Sequence, residues 1–131
     1  MSAESVLQAA LLAALRGDAA LAAGLNGVFE GPAVKASPPF AELGELLSVD
    51  WSTKTAAGRE LRVAVTVRGA GDTGAAVAAL AGMVGAAIEA VPRDLAGWRV
   101  ASVALLRTRL LRGAPGVWAA VVEYRVRMMA V

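Results

Sequence analysis

The chain has 131 residues, enough for one domain with its own core, and contains neither cysteine nor histidine. That excludes disulfides, thiolate nucleophiles, Cys/His metal sites and imidazole acid–base chemistry. The net charge of +2 is unevenly placed: residues 1–92 hold six basic and nine acidic side chains, and residues 93–131 hold seven arginines against Asp94 and Glu123.

A hydrophobic fraction of 57% and a mean hydropathy of +0.59 are high, but weakly apolar alanine supplies much of both. The longest uncharged run, Thr73–Ile88, has 16 residues, short of the roughly 20 strongly apolar residues a spanning helix needs. No membrane segment is expected. The start of the chain, with Glu4 where a signal peptide carries positive charge, does not read as one.

Ser2 is a cap for a first helix whose Leu7, Leu11 and Leu15 recur every four residues, with Gly17 as its stop. Asp18 caps a short second helix through Leu21 and Leu25, ended by Asn26-Gly27. Val28–Glu30 reads as a short extended piece. Gly31-Pro32 and Ser37-Pro38-Pro39 bracket a loop, because consecutive prolines suit neither a helix nor a central strand.

From Phe40 the period becomes two. Ala41, Leu43, Leu47, Val49 and Trp51 are expected on one side of a strand interrupted by Glu45. A second strand places Leu61, Val63, Val65 and Val67 on one side and Glu60, Arg62, Thr66 and Arg68 on the other. This alternation predicts an antiparallel hairpin with one wet face. Asp72 or Thr73 then caps a helix with the stripe Val77, Leu80, Val84, Ile88 and Val91, closed by Pro92. Gly82 and Gly85 imply close approach of that helix to the sheet or to another subunit.

Two long strands follow, Trp98–Leu111 and Val117–Met128, joined at Arg112–Gly116. A five-residue loop gathers Leu106, Leu110, Trp118, Val122, Tyr124, Val126 and Met128 on one face and Arg107, Arg109, Glu123, Arg125 and Arg127 on the other. At ~3.3 Å per residue each strand spans roughly 40 Å and should overhang so small a core. The order α-α-β-β-α-β-β describes a single α+β domain over residues 1–131. Its antiparallel sheet is built from two hairpins with helices packed on it.

Two stretches invite a chemical reading. Gly69-Ala-Gly-Asp-Thr-Gly74 lies between a strand and a helix with the G-x-G-x-x-G spacing of a dinucleotide loop. Against that, the strand pairs most simply as a hairpin, and Asp72 sits where a helix N-terminus should receive pyrophosphate. The ribose-binding acid about 20 residues on is also missing, since Glu89 falls inside the helix. The glycines read better as a tight corner.

The second stretch is Asp50–Glu60, a polar hairpin tip. Its Ser52 and Lys54 match neither S-x-x-K nor a P-loop, and no third group orients them. Glu42 and Glu45 alternate to opposite strand faces and do not form a carboxylate pair. Trp51, Trp98 and Trp118 suit core or subunit-interface packing. No catalytic group, cofactor or metal is expected, so the chain does not read as an enzyme.

Ser2–Leu11, Leu25–Phe29, Pro38–Glu45 and Asp50–Glu60 resemble, in the same order, the tail-completion or tail-terminator proteins of long-tailed bacteriophages, prophages and gene transfer agents. The likeness is strongest over Pro39–Glu60 and loose in the last hairpin. Relatives often carry a histidine after the Gly-x-Glu element, where this chain has Leu61.

The resemblance implies a structural protein that assembles in the bacterial host cytoplasm as a hexameric ring and becomes part of the particle. The ring would cap the tail tube and join it to the head–tail connector, with DNA passing through its lumen unread. Other connector or minor tail proteins, and more distantly a small nucleotide-binding enzyme, are the alternatives. On this reading Thr53, Lys54 and Thr55 are candidates for docking on the tube. Arg107, Arg109, Arg125 and Arg127 are candidates for subunit or tube contact, in preference to gripping DNA, because many phosphate contacts would slow its transit.

Overall fold

The hydroxyl of Ser2 accepts a hydrogen bond from the Ser5 amide at 3.1 Å and starts α1 (Ala3–Gly17). Leu7, Leu11 and Leu15, one turn apart, are all buried. The Asp18 carboxylate accepts from the Leu21 amide at 3.0 Å and starts α2 (Ala19–Gly24). Each cap satisfies an amide that the helix itself leaves without a partner. The structure, a computed structural model, describes residues 1–131.

The strands are β1 (Val28–Glu30), β2 (Phe40–Leu43), β3 (Leu47–Asp50), β4 (Gly58–Ala70), β5 (Asp94–Leu95), β6 (Trp98–Arg112) and β7 (Val117–Ala130), with α3 (Ala75–Glu89) after β4. They form one sheet in the order β1-β2-β4-β7-β6-β5, with β3 also on β4. The architecture is α+β, as the sequence predicts. The sheet is mixed, because β1 pairs parallel to β2. The extended piece expected at Val28–Glu30 is thus an added edge strand, whose parallel pairing its three residues gave no reason to expect.

The helices cover one face, here called the inner face. Leu61, Val63, Val65 and Val67 of β4 join Val122, Tyr124, Val126 and Met128 of β7 there, against α1 and α3, in a single apolar cluster. Burying a leucine or valine contributes about 1.5–3 kcal/mol, so this face carries most of the stability. In α3 the stripe Val77, Val84 and Ile88 is buried, with Leu80 partly so, and Val91 is buried just beyond the helix. Gly85 lies under the Tyr124 hydroxyl, which donates to its carbonyl at 3.3 Å. A methyl on Gly82 would meet nothing within 4 Å, so the expected close approach is made by one of the two glycines.

Two expectations need correction. The strand from Phe40 is two strands, and the break at Gly44–Leu46 resets the alternation. Leu43 pairs with Val65 on the inner side, but Leu47 pairs with Arg62, so Leu47 and Val49 turn outward and are 53% and 56% exposed.

The long hairpin overhangs the core on its β6 side, where Leu105–Arg112 are exposed, while its β7 side stays beside β4. Strand β7 pairs with β4 from Val117↔Ala70 to Met129↔Gly58. It is β6 that projects, as an edge, because β5 pairs with it only at Trp98 and Arg99.

The loop-proximal register holds, from Arg112↔Trp118 to Arg107↔Glu123. A bulge between Leu105 and Arg107 then shifts it and leaves Leu106 without a partner. Leu106 shares an outer groove with Arg107 and Glu123, while Leu105 takes the inner place opposite Tyr124. Bulges of this kind cannot be read from alternation, since one extra residue exchanges the faces.

Candidate functional site

The glycine corner is a packing device. A methyl on Gly74 would lie 2.8 Å from the Trp118 ring and 3.0 Å from Leu110, and one on Gly69 would strike Val77. The Trp118 indole donates to the Gly71 carbonyl at 3.2 Å, and the Gly71 amide donates to Gly116 at 2.9 Å. Backbone that would cradle a phosphate is thus engaged by the β6–β7 turn. Gly74 is the cap residue of α3, and the Thr73 hydroxyl accepts from the Ala75 amide at 3.3 Å. Asp72 does not cap the helix.

Strands β4 and β6 do run parallel across α3, a crossover the simple hairpin reading omitted, but β7 fills the space between them. A dinucleotide fold would leave a ligand crevice at that switch point.

The polar tip is held by its own bonds. The Thr53 amide donates to the Ala56 carbonyl at 2.9 Å, and the Thr53 hydroxyl accepts from the Ala56 amide at 3.1 Å. The Ser52 hydroxyl accepts from the Gly58 amide at 2.9 Å and donates to Asp50 at 2.6 Å. Ser52 is therefore a turn-forming residue. Lys54 and Thr55 remain exposed.

The outer face carries the arginines. Glu123 accepts from Arg107 at 2.8 Å, with Arg109 at 3.7 Å, so two cations share one carboxylate. Arg107 holds the Glu123 carboxyl below the ordinary range, and Glu123 raises Arg107 in turn. Arg127 pairs with Glu60 at 2.9 Å and lies over the Trp51 ring at 5.3 Å. Arg125 stands directly across from Arg62, and its Nε is buried without a hydrogen-bond partner.

The four candidate arginines therefore share a face. Glu123 shares it as expected, and Arg62 and Glu60 belong with them, which the parity of β4 could have shown once β4 was known to lie beside β7. The tip arginine Arg112 points to the inner side and lies over Trp118 at 5.9 Å.

Glu42 and Glu45, expected on opposite faces, line one shelf of about 590 Å³ with Glu4 and Glu30, because the β2–β3 break intervenes. Arg68 is its one cation and pairs with Glu42. The carboxyl of Glu4 is held down by hydrogen bonding to Ser48 and by its own backbone amide, assisted by Arg59. No helix is long and apolar enough to cross a membrane.

Nothing in this geometry sets a nucleophile, a base and an orienting group together. It offers surfaces, and comparison with known proteins identifies their setting. The family model for tail completion protein gp17 matches residues 9–129. The chain belongs to that family. It is a structural protein of the tail of a phage or phage-like particle.

Among solved structures, a chain from the virion of a native gene transfer agent particle is 26% identical over 98% of both chains, with a TM-score of 0.87. A search of the curated proteins finds no match. The family match extends through the last hairpin, where the sequence resemblance was loosest.

Proposed function

We propose that this tail completion protein forms a ring, hexameric as the resemblance implies, that caps the tail tube and joins the tail to the head–tail connector. One observation carries the reading: the family match and the structural likeness each run almost from end to end, so the whole domain performs the family's task. Assembly takes place in the host cytoplasm, and the ring then stays in the particle at the head–tail interface, with DNA passing through its lumen unread.

The tip Thr53–Gly58 docks on the last ring of the tube, with Thr53 shaping the turn and Lys54 and Thr55 making contact. Rigidly held loop tips are common recognition elements. The outer arginines Arg107, Arg109, Arg125 and Arg127 meet protein carboxylates rather than DNA. Half of their charge is already neutralised by Glu60 and Glu123, and an open-ended cationic lumen would retard the duplex.

Deleting the gene should produce tails of irregular, often excessive length and heads without tails in electron micrographs. Tails of normal length joined to heads would end this reading. Irregular joining with normal length would instead indicate another connector component. Lys54→Ser with Thr55→Gly should leave the melting temperature unchanged and reduce tube capping.

A further inference from the structure

The sheet has two unlike open edges. On one side β6 runs from Ala101 to Arg112 with no strand beyond it. This edge carries Arg107, Arg109 and Arg112, and Glu123 on the adjacent strand is the only acid paired with them. Leu105, Leu106, Leu110 and Leu111 along it are 38–52% exposed.

On the other side, the three-residue edge strand β1 has one outward carbonyl occupied, because the Arg16 guanidinium donates to Val28 at 2.8 and 3.2 Å. Strand β3 is left open, with Leu47 and Val49 exposed. Glu45 precedes it and Asp50 ends it, and neither is in an ion pair. Exposed strand edges are templates for pairing, and a charge of one sign facing the other sets both partner and register.

We propose that the open β6 edge of one copy docks beside β3 of the next copy, placing Arg109 and Arg112 against Glu45 and Asp50 and Leu111 near Val49. The contact is heterologous: one edge meets a different edge, and repetition closes a ring rather than a two-fold dimer. This inference rests on the ring reading above and names its interface. Residues on both sides are exposed in the single chain, apolar positions face apolar positions, and the charges are opposite. A β6–β6 pairing would instead bring arginines of like charge together. Capture of an acidic partner of a different sequence is an outcome of the test below.

The test uses the full chain, whose lack of cysteine gives a silent background. One variant carries Arg109→Glu and Arg112→Glu, the other Glu45→Arg and Asp50→Arg. Each alone should lose self-association by light scattering, with apparent affinity weakened at least about tenfold. Mixing them should restore it, because every reversed edge then finds its complement.

In parallel, Val49→Cys and Leu111→Cys chains are treated with a short bismaleimide crosslinker. The mixture should yield crosslinked dimers, and neither chain alone should. Association that survives both reversals, a mixture that stays apart, or Leu111→Cys crosslinking to itself overturns the proposed edges while leaving the ring in place. A wild-type chain that stays monomeric at every concentration, with and without tube protein, overturns ring and interface together. Binding of the β6 edge to an unrelated acidic protein without self-association assigns that edge to a different partner and overturns the proposal.

Discussion

The two faces of β4 answer to different demands. Leu61, Val63, Val65 and Val67 point inward and are no more than 2% exposed, each set against β7 and the helices. Glu60, Arg62, Ala64 and Thr66 alternate with them on the outer face and are half-buried or exposed. The inner face is complete within one chain. The outer face is left with two arginines opposite each other, a guanidinium nitrogen without a partner, and exposed leucines at both edges. One strand thus supplies the stability of the domain on one side and the unfinished business of an assembly protein on the other.

The sharpest test of that division is truncation on each face. Leu11→Ala, under the helix-covered face, should cost about 2–5 kcal/mol in urea unfolding. Val49→Ala on the outer side should stay within about 0.5 kcal/mol. Equal losses would erase the distinction.

The corner at the end of β4 comes next. Gly74→Ala should cost about 1–3 kcal/mol through overpacking and alter Trp118 fluorescence, since the added methyl meets the indole. A neutral result would mean that the corner is looser than its contacts imply.

Tyr124 marks the inner face by its titration. Burial, and then the nearby Glu89 carboxylate, push its pKa from 10.0 up to about 12. The folded state therefore keeps the phenol proton longer than the unfolded chain does. Stability is intact below pH 10 and falls as pH rises from 10 to about 12. Tyr124→Phe should remove that fall, as measured by melting temperature against pH.

The outer pair titrates at the other end of the scale, and more weakly. Glu123 is depressed by Arg107, so its contribution is present above the ordinary carboxylate value of 4.5 and disappears as pH drops through the lower folded value. Glu123→Gln should flatten that acid limb slightly, and added salt should do the same, because the pair is open to water.

Much of this was legible in one dimension. Ser2 and Asp18 cap where caps were expected, because capping needs only one oxygen beside a few amides of the same segment. The Leu7, Leu11, Leu15 stripe and the β4 alternation were legible for a similar reason: period and burial are set together. The polar tip was legible as a turn. Thr53 and Lys54 stand on one turn, but that Thr53 closes the turn while Lys54 stays free emerged only from the bonds to Ala56. The glycine corner was read correctly as a corner, but its reason, Trp118 from a strand 44 residues later, was out of local view.

What the sequence by itself determined was local and periodic: the helix starts and stops, the face of β4, the loop-proximal register of the last hairpin, and the likeness that names the family. What only the tertiary structure decided depends on residues distant in sequence: the parallel addition of β1, the parity reset at Gly44–Leu46, the bulge that turns Leu106 outward, and the pairing that leaves most of the long β6 without a strand beyond it. A strand's side chains follow its own alternation, but its neighbours, and so its free edge, are chosen by competition among every strand for the same backbone partners.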